Sequence, residues 1–271
     1  MNITFIGGGN MATALISGLL QQGDQPSAIR VVEISPEGRD RLHGKYAVAV
    51  HETLAAPALD SDIVVLAVKP QQLREVAAQL QGRIAGKLVI SIAAGVRGAD
   101  LARWLGGHTQ LVRAMPNTPA MILAGITGLY ALAGVSEEQK HQAEAVLSAV
   151  GTVVWLDREE QMDAITAVSG SGPAYVFYFM EALESAAREF GFPDGAARHL
   201  AVETFLGAAK LAAASDEELA TLRARVTSKG GTTERALLTM ESAAVKANIM
   251  RAIQAAAERS RELGDELGKA G

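Results

Sequence analysis

The segment FIGGGNMA, residues 5–12, combines residue types and a spacing that could bind a phosphate group. Gly7, Gly9 and Ala12 match the pattern G-x-G-x-x-G/A, between an apolar strand-like run and a helical pattern. In that setting the first glycine permits a tight turn, the second lets a pyrophosphate approach the backbone, and the small third residue lets helix pack on strand. The N-terminus of the helix then faces the phosphates. The segment therefore predicts a dinucleotide-binding loop.

A second strand-like run ends in VVEISPEGR and places Glu33 26 residues after Gly7. An acidic residue at this point typically accepts hydrogen bonds from the adenosine ribose of NAD, and it would repel the 2′-phosphate of NADP. Ser35 and Arg39 could instead hold that phosphate, and a one-residue shift in register would turn Glu33 away as a solvated strand end. The choice between NADH and NADPH is left open at this point.

Three further strand-like runs end in LAVKP, SIAAG and RAMPNTP. Ligands of open α/β sheets bind outside the carboxyl ends of the strands, so these segments should border the same cofactor. Small residues there allow a close approach, and Asn117 could recognise an amide, whereas His108 and Arg113 are interpreted as structural. The predicted cofactor-binding residues are Ile6, Gly7, Gly8, Gly9, Asn10, Met11, Glu33, Ser35, Ala67, Val68, Lys69, Pro70, Ala93, Ala94, Gly95, Met115, Pro116 and Asn117.

The segment VTSKGGTTERAL, residues 226–237, interrupts the helical last third of the chain. Its glycines could turn the backbone N–H groups of Gly231 and Thr232 inward at a helix N-terminus, forming an anion site with the Ser228 hydroxyl as a further donor. The simpler alternative is a Gly-Gly turn with a threonine cap. We favour the anion site because two threonines stand where one cap suffices, and because the chain otherwise lacks a substrate-binding group. The first half of the chain also lacks an evident base or nucleophile. Hydride transfer would need neither, since the cofactor supplies the chemistry.

The pattern of elements predicts what holds these segments in place. Up to about residue 157, short apolar runs alternate with helical patterns, which indicates a parallel sheet covered on both faces. Two later runs, GITGLYAL and TVVWL, are expected to complete the sheet edge. The helix containing AYVFYFM, residues 174–180, is apolar all round, which indicates a buried, dimeric bundle. We therefore predict an α/β fold with a Rossmann-type doubly wound sheet in residues 1–160 and an all-helical dimerisation and substrate-binding domain in residues 161–271.

Composition excludes several other classes of function. The 271 residues carry a net charge of -5 and few aromatic side chains, so a nucleic-acid partner is not expected. There is no cysteine, and the five histidines lack metal-ligand spacing, so no metal site is expected. The first ten residues do not resemble a signal peptide, and glycines and prolines interrupt the longest uncharged stretch, so we expect a cytoplasmic protein without a membrane span.

Taken together, FIGGGNMA, AVKP, SIAAG, RAMPNTPA, SGSGPAYVF and SKGGTTERAL resemble the motifs of pyrroline-5-carboxylate reductases in order and approximate spacing, over nearly the whole chain. The resemblance implies NADPH- or NADH-dependent reduction of 1-pyrroline-5-carboxylate to L-proline, the last step of proline biosynthesis. It also implies a homodimer through the helical domain, often assembled into a decamer, with substrate over the nicotinamide at the dimer interface.

Residue roles follow from the same resemblance. Ser228 and the backbone of Gly231 and Thr232 would hold the substrate carboxylate, and the Thr233 hydroxyl would face the imine nitrogen as the catalytic group. Met115, Pro116 and Asn117 would line the nicotinamide, and Ala67 and Lys69 would border the cofactor. Lys229 stands where many members have proline, and Glu33 is unusual for an NADP-preferring enzyme.

Two other functions are compatible with the predicted cofactor domain. A β-hydroxyacid dehydrogenase or an imine reductase of other specificity would share the cofactor domain, but the former needs a lysine in a G-x-x-x-K setting, and Lys210 follows Gly207 by three residues. A non-catalytic NAD(P)-sensing module would need no carboxylate site at all.

Overall fold

The computed structural model of the protein describes residues 1–269, which form two compact units. The first contains residues 1–171 and 256–269, and the second contains Gly172–Ala255. This division differs from the predicted boundary between residues 160 and 161. A Cβ on Gly128 would lie 2.8 Å from Ile165 Cγ1, so the residues just after 160 pack on the sheet and belong with it. Likewise, Leu263 packs on Gly95 in the first unit.

Within the described residues, one sheet of eight strands forms the first unit, in the order β3-β2-β1-β4-β5-β6-β7-β8. The strands β1 to β6 are parallel, which confirms the doubly wound Rossmann-type arrangement. Their bounds are β1 Ile3–Ile6, β2 Ile29–Val32, β3 Ala49–His51, β4 Ile63–Leu66, β5 Leu88–Ser91, β6 Leu111–Met115, β7 Gly125–Ala131 and β8 Gly151–Trp155.

The last two strands complete the sheet edge as predicted, and the structure adds their direction, which the sequence did not give. Strand β7 runs antiparallel to β6 and parallel to β8. Residues 116–124 join β6 to β7, and a parallel crossover needs about a dozen or more residues. The chain therefore returns beside β6 in the opposite direction.

Helices cover both faces of this sheet, which explains why the inner strands are continuously apolar. On one face, α1, α2 and α5 pack against residues such as Phe5 and Val31, and on the other α3 and α4 pack against Ile6 and Val64. The helices of this unit before residue 171 are α1 Asn10–Gln21, α2 Pro36–Tyr46, α3 Pro70–Leu80, α4 Gly98–Trp104, α5 Glu137–Ser148 and α6 Gln161–Ile165, which continues into a π-helical turn at Thr166–Gly170.

The edge strand β3 was not predicted from the sequence. It is three residues long, and none of them is fully buried, so it lacks the apolar run that marked the other strands. Its pairing with β2 nevertheless brings residues 52–54 to the carboxyl edge of the sheet.

The second unit is helical throughout, as predicted. Its helices are α7 Gly172–Glu189, α8 Asp194–Ala213, α9 Leu219–Arg225, α10 Thr232–Ser242 and the first part of α11 Val245–Lys269. The apolar helix α7 has no buried residue in the single chain, where Phe177 is 59% and Tyr178 71% exposed. An apolar surface of this extent typically marks a protein interface.

Candidate active site

The glycine loop lies where the order of the strands reverses direction. Strand β1 pairs with both β2 and β4, and Ile6 is level with Val32 and Leu66. The residues that follow these strand ends, Gly7, Glu33 and Ala67, therefore emerge at one edge of the sheet. This is the crevice in which doubly wound sheets bind their ligands.

Gly7 and Gly9 meet different physical requirements in this loop. Gly7 has φ +98°, and a Cβ there would lie 2.7 Å from the carbonyl oxygen of Ala67, so glycine is needed for the fold itself. Gly9 precedes α1 without a side-chain cap, and a Cβ there would meet no protein atom within 4 Å. The residues thus fit a dinucleotide, since the uncapped N-terminus of α1 and the unobstructed Gly9 backbone are what a pyrophosphate requires.

Glu33 points into this crevice, and backbone donors hold its carboxylate. Gly8 N–H donates to Oε2 at 2.9 Å, and Ser35 N–H donates to Oε1 at 2.9 Å. The predicted alternative of a solvated strand end does not apply, because both oxygens take part in the loop structure.

Ser35 is the N-cap of α2, and its hydroxyl is already engaged. Gly38 N–H donates to Ser35 Oγ at 3.1 Å, and that hydroxyl donates to Glu37 Oε2 at 2.7 Å. The hydrogen bond from Ser35 keeps the pKa of the Glu37 carboxyl below its usual value.

A cleft of about 460 Å³ extends from the glycine loop along the carboxyl edge of the sheet. Of the predicted cofactor residues, eight line it: Ile6, Gly7, Gly8, Gly9, Glu33, Ala67, Val68 and Lys69. Asn10 and Pro70 instead begin α1 and α3, and Met11 packs partly against the core.

The sequence analysis missed several residues that line the same cleft. Gln72, Glu75, Val76 and Gln79 share one face of α3, and their helical spacing after the Lys69-Pro70 segment could have identified them. The others are Val32, Ile34, Glu52, Thr53 and Leu54, of which the last three depend on the unpredicted strand β3.

The ends of β5 and β6 follow farther along the same edge of the sheet, outside the lining of this cleft. Ala93 is buried and Ala94 exposed, whereas Gly95, at φ +74°, packs against Leu263 and Leu267 of α11. One side of Gly95 therefore lies against a helix, and its contact with the cofactor stays a prediction.

Asn117, predicted to recognise an amide, uses its own amide within the protein. Its Nδ2 donates to the carbonyl of Ser169 at 3.1 Å, and its Oδ1 accepts from Ile126 N–H at 3.0 Å. The side chain is buried beside Pro116, while Met115 is partly buried. Asn117 thus fixes the loop after β6 to β7 and to the π-helical turn.

In the second unit, the segment SKGGTTER forms the turn before α10 and the first turn of that helix. Gly230 has φ +73°, and Gly231 is the N-cap without a capping side chain. Gly231 N–H donates to the carbonyl of Ser228 at 3.0 Å, which corrects the expectation that it faces an anion. The Gly231 N–H group is therefore already hydrogen-bonded within the turn.

The backbone N–H groups without a partner begin at Thr232, the residue after Gly231. The first backbone hydrogen bond of α10 is from Arg235 N–H to Gly231 O, so the N–H groups of Thr232, Thr233 and Glu234 have no partner within residues 1–269. The Ser228 hydroxyl likewise has none in this part of the chain and is exposed, whereas Thr233 is half-buried. Glu234 Oε2 accepts a hydrogen bond from Gly230 N–H at 2.7 Å, which links the first turn of α10 to the preceding turn.

Arg113 and His108 have structural partners, as expected. Arg113 Nη1 lies 2.6 Å from Glu159 Oε1, and His108 Nε2 lies 3.0 Å from the carbonyl of Lys87. Over residues 1–269, no group of three or more His, Asp or Glu side chains could hold a metal ion. In the same range, no helix is long and apolar enough to cross a membrane.

Comparison with known proteins matches the N-terminal and C-terminal parts of the chain to two different family models. A family model for pyrroline-5-carboxylate reductase dimerisation matches residues 159–263, and one described as NADP oxidoreductase, coenzyme F420-dependent, matches residues 2–95. The chain is 46% identical to pyrroline-5-carboxylate reductase of Pseudomonas aeruginosa over 268 residues, which cover 98% of both chains. It is 41% identical to that of Haemophilus influenzae, covering 96% of this chain and 97% of the relative.

Two solved structures extend the likeness to the backbone. A pyrroline-5-carboxylate reductase from Coxiella burnetii superimposes with a TM-score of 0.92 at 43% identity, covering 97% of this chain and 98% of that one. A pyrroline carboxylate reductase from Plasmodium falciparum with NADP bound gives a TM-score of 0.86 at 27% identity, over the same shares of the two chains. With this identity across both the cofactor-binding and helical regions, the chain belongs to the pyrroline-5-carboxylate reductase family.

Proposed function

We propose that this protein reduces 1-pyrroline-5-carboxylate to L-proline with NADPH or NADH, the last step of proline biosynthesis. The observation that carries the proposal is the pairing of two sites in one chain. One is a glycine-lined cleft that fits a dinucleotide, and the other is a helix N-terminus with unpaired N–H groups and a neighbouring hydroxyl. An enzyme that reduces a small cyclic imine carboxylate needs both.

The cofactor residues act by binding and orientation. The N-terminus of α1 and the Gly9 backbone would hold the pyrophosphate, while Ala67, Val68 and Lys69 border the cleft. Ala93, Ala94, Met115 and Pro116, at the ends of β5 and β6, are the proposed neighbours of the nicotinamide. When bound, the dihydronicotinamide supplies the hydride that reduces the imine carbon.

The N-terminus of α10 is the proposed carboxylate site. The N–H groups of Thr232 and Thr233, with the exposed Ser228 hydroxyl, would donate to the substrate carboxylate. Each hydrogen bond to a charged group contributes about 1.5–3 kcal/mol net, and the helix dipole favours an anion at this end. Holding the ring through its carboxylate would fix the orientation of the imine.

Thr233 is the proposed catalytic residue. Its hydroxyl can both donate and accept a hydrogen bond, so it can orient the ring nitrogen as that nitrogen gains a proton. Threonine is a weak acid, so its role is to orient the nitrogen or relay a proton rather than to act as a strong acid. Thr233 is half-buried, whereas the preceding Thr232 is exposed.

Steady-state kinetics would test the activity directly. Purified protein with 1-pyrroline-5-carboxylate and NADH or NADPH should consume the cofactor and yield L-proline in equal amounts. Cofactor binding without turnover would favour the sensing module instead. Turnover with other cyclic imines or hydroxyacids but not with this substrate would favour the rival reductases.

The proposed assembly is a homodimer through residues 161–271, with a decamer as the larger form. The exposed apolar residues of α7, such as Phe177 and Tyr178, support the homodimer. Burying this apolar surface against a second copy of the chain would be favourable. Light scattering should give at least twice the chain mass of 28.3 kDa. Tyr178→Glu should shift the mass toward that of one chain. We further propose a cytoplasmic location, which subcellular fractionation would test.

A further inference from the structure

We propose that this protein uses NADH in preference to NADPH, and that Glu33 is the residue that sets the preference. The inference rests on the proposed function for its physiological meaning, but it concerns the adenosine end of the cofactor cleft alone. Four observations in the first unit carry it.

The first observation is the state of the Glu33 carboxylate. Gly8 N–H and Ser35 N–H each donate to one of its oxygens, which fixes the side chain at the carboxyl end of β2, where it lines the cleft. An ionised carboxylate offers about four lone-pair sites and no donor, so two sites remain for further hydrogen bonds. The ribose hydroxyls of NADH can donate to them, whereas a 2′-phosphate brings only acceptors and negative charge.

The second observation is that Ser35 and Arg39, which could otherwise bind a 2′-phosphate, already form hydrogen bonds within the protein. The Ser35 hydroxyl both accepts from Gly38 N–H and donates to Glu37. Arg39 Nη1 donates to the carbonyls of Glu33 at 2.8 Å and Ile34 at 2.9 Å. These hydrogen bonds stabilise the turn between β2 and α2. Ser35 or Arg39 could bind a phosphate only if some of these hydrogen bonds were broken.

The third observation is that the guanidinium groups of the two arginines near the glycine loop, Arg39 and Arg41, interact with the protein itself. Arg39 Nη2 lies 3.8 Å from Glu52 Oε2, and Arg41 Nη2 donates to the carbonyl of Gly8 at 2.8 Å. Neither arginine lines the cleft. Their guanidinium groups are therefore directed at the main chain and at Glu52 rather than at a bound cofactor.

The fourth observation is the charge of the cleft wall. The described residues that line it include three carboxylates, Glu33, Glu52 and Glu75, and a single cation, Lys69, while Glu52 also has Arg39 Nη2 at 3.8 Å from outside the lining. A phosphate monoester adds about −1.5 to −2 charges at pH 7. Placing those charges beside three carboxylates is unfavourable, and like charges brought together at a binding site are an established means of excluding a ligand.

The test compares the two cofactors by equilibrium binding as well as by turnover. Nicotinamide fluorescence titration should give a dissociation constant for NADH at least about 10-fold below that for NADPH. Glu33→Gln, which keeps an acceptor but removes the charge, should reduce this ratio by about 10-fold, mainly by tightening NADPH. Glu138→Gln, the same change on α5 away from the cleft, should leave the ratio unchanged.

Two further variants test whether the effect of Glu33→Gln comes from lost charge or from a disturbed glycine loop. Glu52→Gln and Glu75→Gln leave the hydrogen bonds of Glu33 intact, and together they should also narrow the ratio. Competition by 5′-AMP and by 2′,5′-ADP isolates the 2′-phosphate, and 5′-AMP should compete better than 2′,5′-ADP with the wild type. NADPH binding as tightly as NADH, or an unchanged ratio in Glu33→Gln and in the double variant, would overturn the inference. Selective NADH binding without reduction of the imine would instead leave the inference standing and refute the proposed function.

Discussion

Arg113 Nη1 lies 2.6 Å from Glu159 Oε1, and the same oxygen accepts from Gly98 N–H at 2.6 Å. The pair is largely removed from solvent, with side chains 8% and 26% exposed. One carboxylate thus joins β6, which carries the Met115–Asn117 segment, to the N-terminus of α4, which follows the Ala93–Gly95 segment. The two segments at the ends of β5 and β6 are held at a fixed spacing by this contact.

Removing the carboxylate should therefore destabilise the sheet unit. Glu159→Ala leaves a buried guanidinium without its partner and should lower the free energy of unfolding by about 2–4 kcal/mol. Urea unfolding followed by circular dichroism would measure it. Glu160→Ala, at the exposed neighbouring position, is the matched control and should change stability little. Equal effects of the two changes would contradict a specific role for the ion pair.

The two glycines of the phosphate loop should separate folding from binding. Gly9→Ala adds a Cβ that meets no protein atom within 4 Å, so thermal stability should fall only slightly, through a weaker helix cap, while NADH affinity falls by about 10-fold or more. Gly7→Ala forces a positive φ on alanine and a clash with Ala67 O, so it should lower the free energy of unfolding by about 1–3 kcal/mol. Thermal denaturation and fluorescence titration of both variants would check this. A Gly9 variant that binds NADH normally would exclude the proposed pyrophosphate contact.

Loss of the Thr233 hydroxyl should slow the reaction without unfolding the protein. Thr233→Ala should lower kcat/KM for 1-pyrroline-5-carboxylate by about 10- to 1,000-fold, about 1.5–4 kcal/mol of transition-state stabilisation. Thr239→Ala is the matched control, since Thr239 lies on the same helix and donates to its own backbone at Arg235 O. The catalytic role would be abandoned if the Thr233 variant turned over at the wild-type rate.

Glu234 should act on substrate binding through the backbone. Its Oε2 accepts from Gly230 N–H, so Glu234→Ala frees the turn before α10 and should raise KM for the imine by about 3- to 10-fold. Cofactor affinity should not change, because the cleft is in the other unit. Glu234→Gln keeps the carbonyl acceptor and should restore most of the affinity. If the glutamine and alanine variants behaved alike, the charge of Glu234 rather than its hydrogen bond would be responsible.

The amino-acid sequence by itself determined the features that depend on a few neighbouring residues. The turn at Gly7, the start of α1 and the turn before α10 were predicted correctly because backbone preferences act over one or two turns of chain. The alternation of apolar runs and helical patterns likewise predicted the doubly wound sheet and the helical region.

Only the tertiary structure decided which polar groups are free to meet a ligand. Asn117 has the right type and place for amide recognition, yet its amide bonds to Ser169, 52 residues away, and to Ile126. Glu33 gains a partner 25 residues away, at Gly8. A hydrogen-bonding group has few bonds to offer, and partners distant in sequence claim them only when the chain is folded. For that reason the sequence could name the segments of the site but not the atoms left to bind.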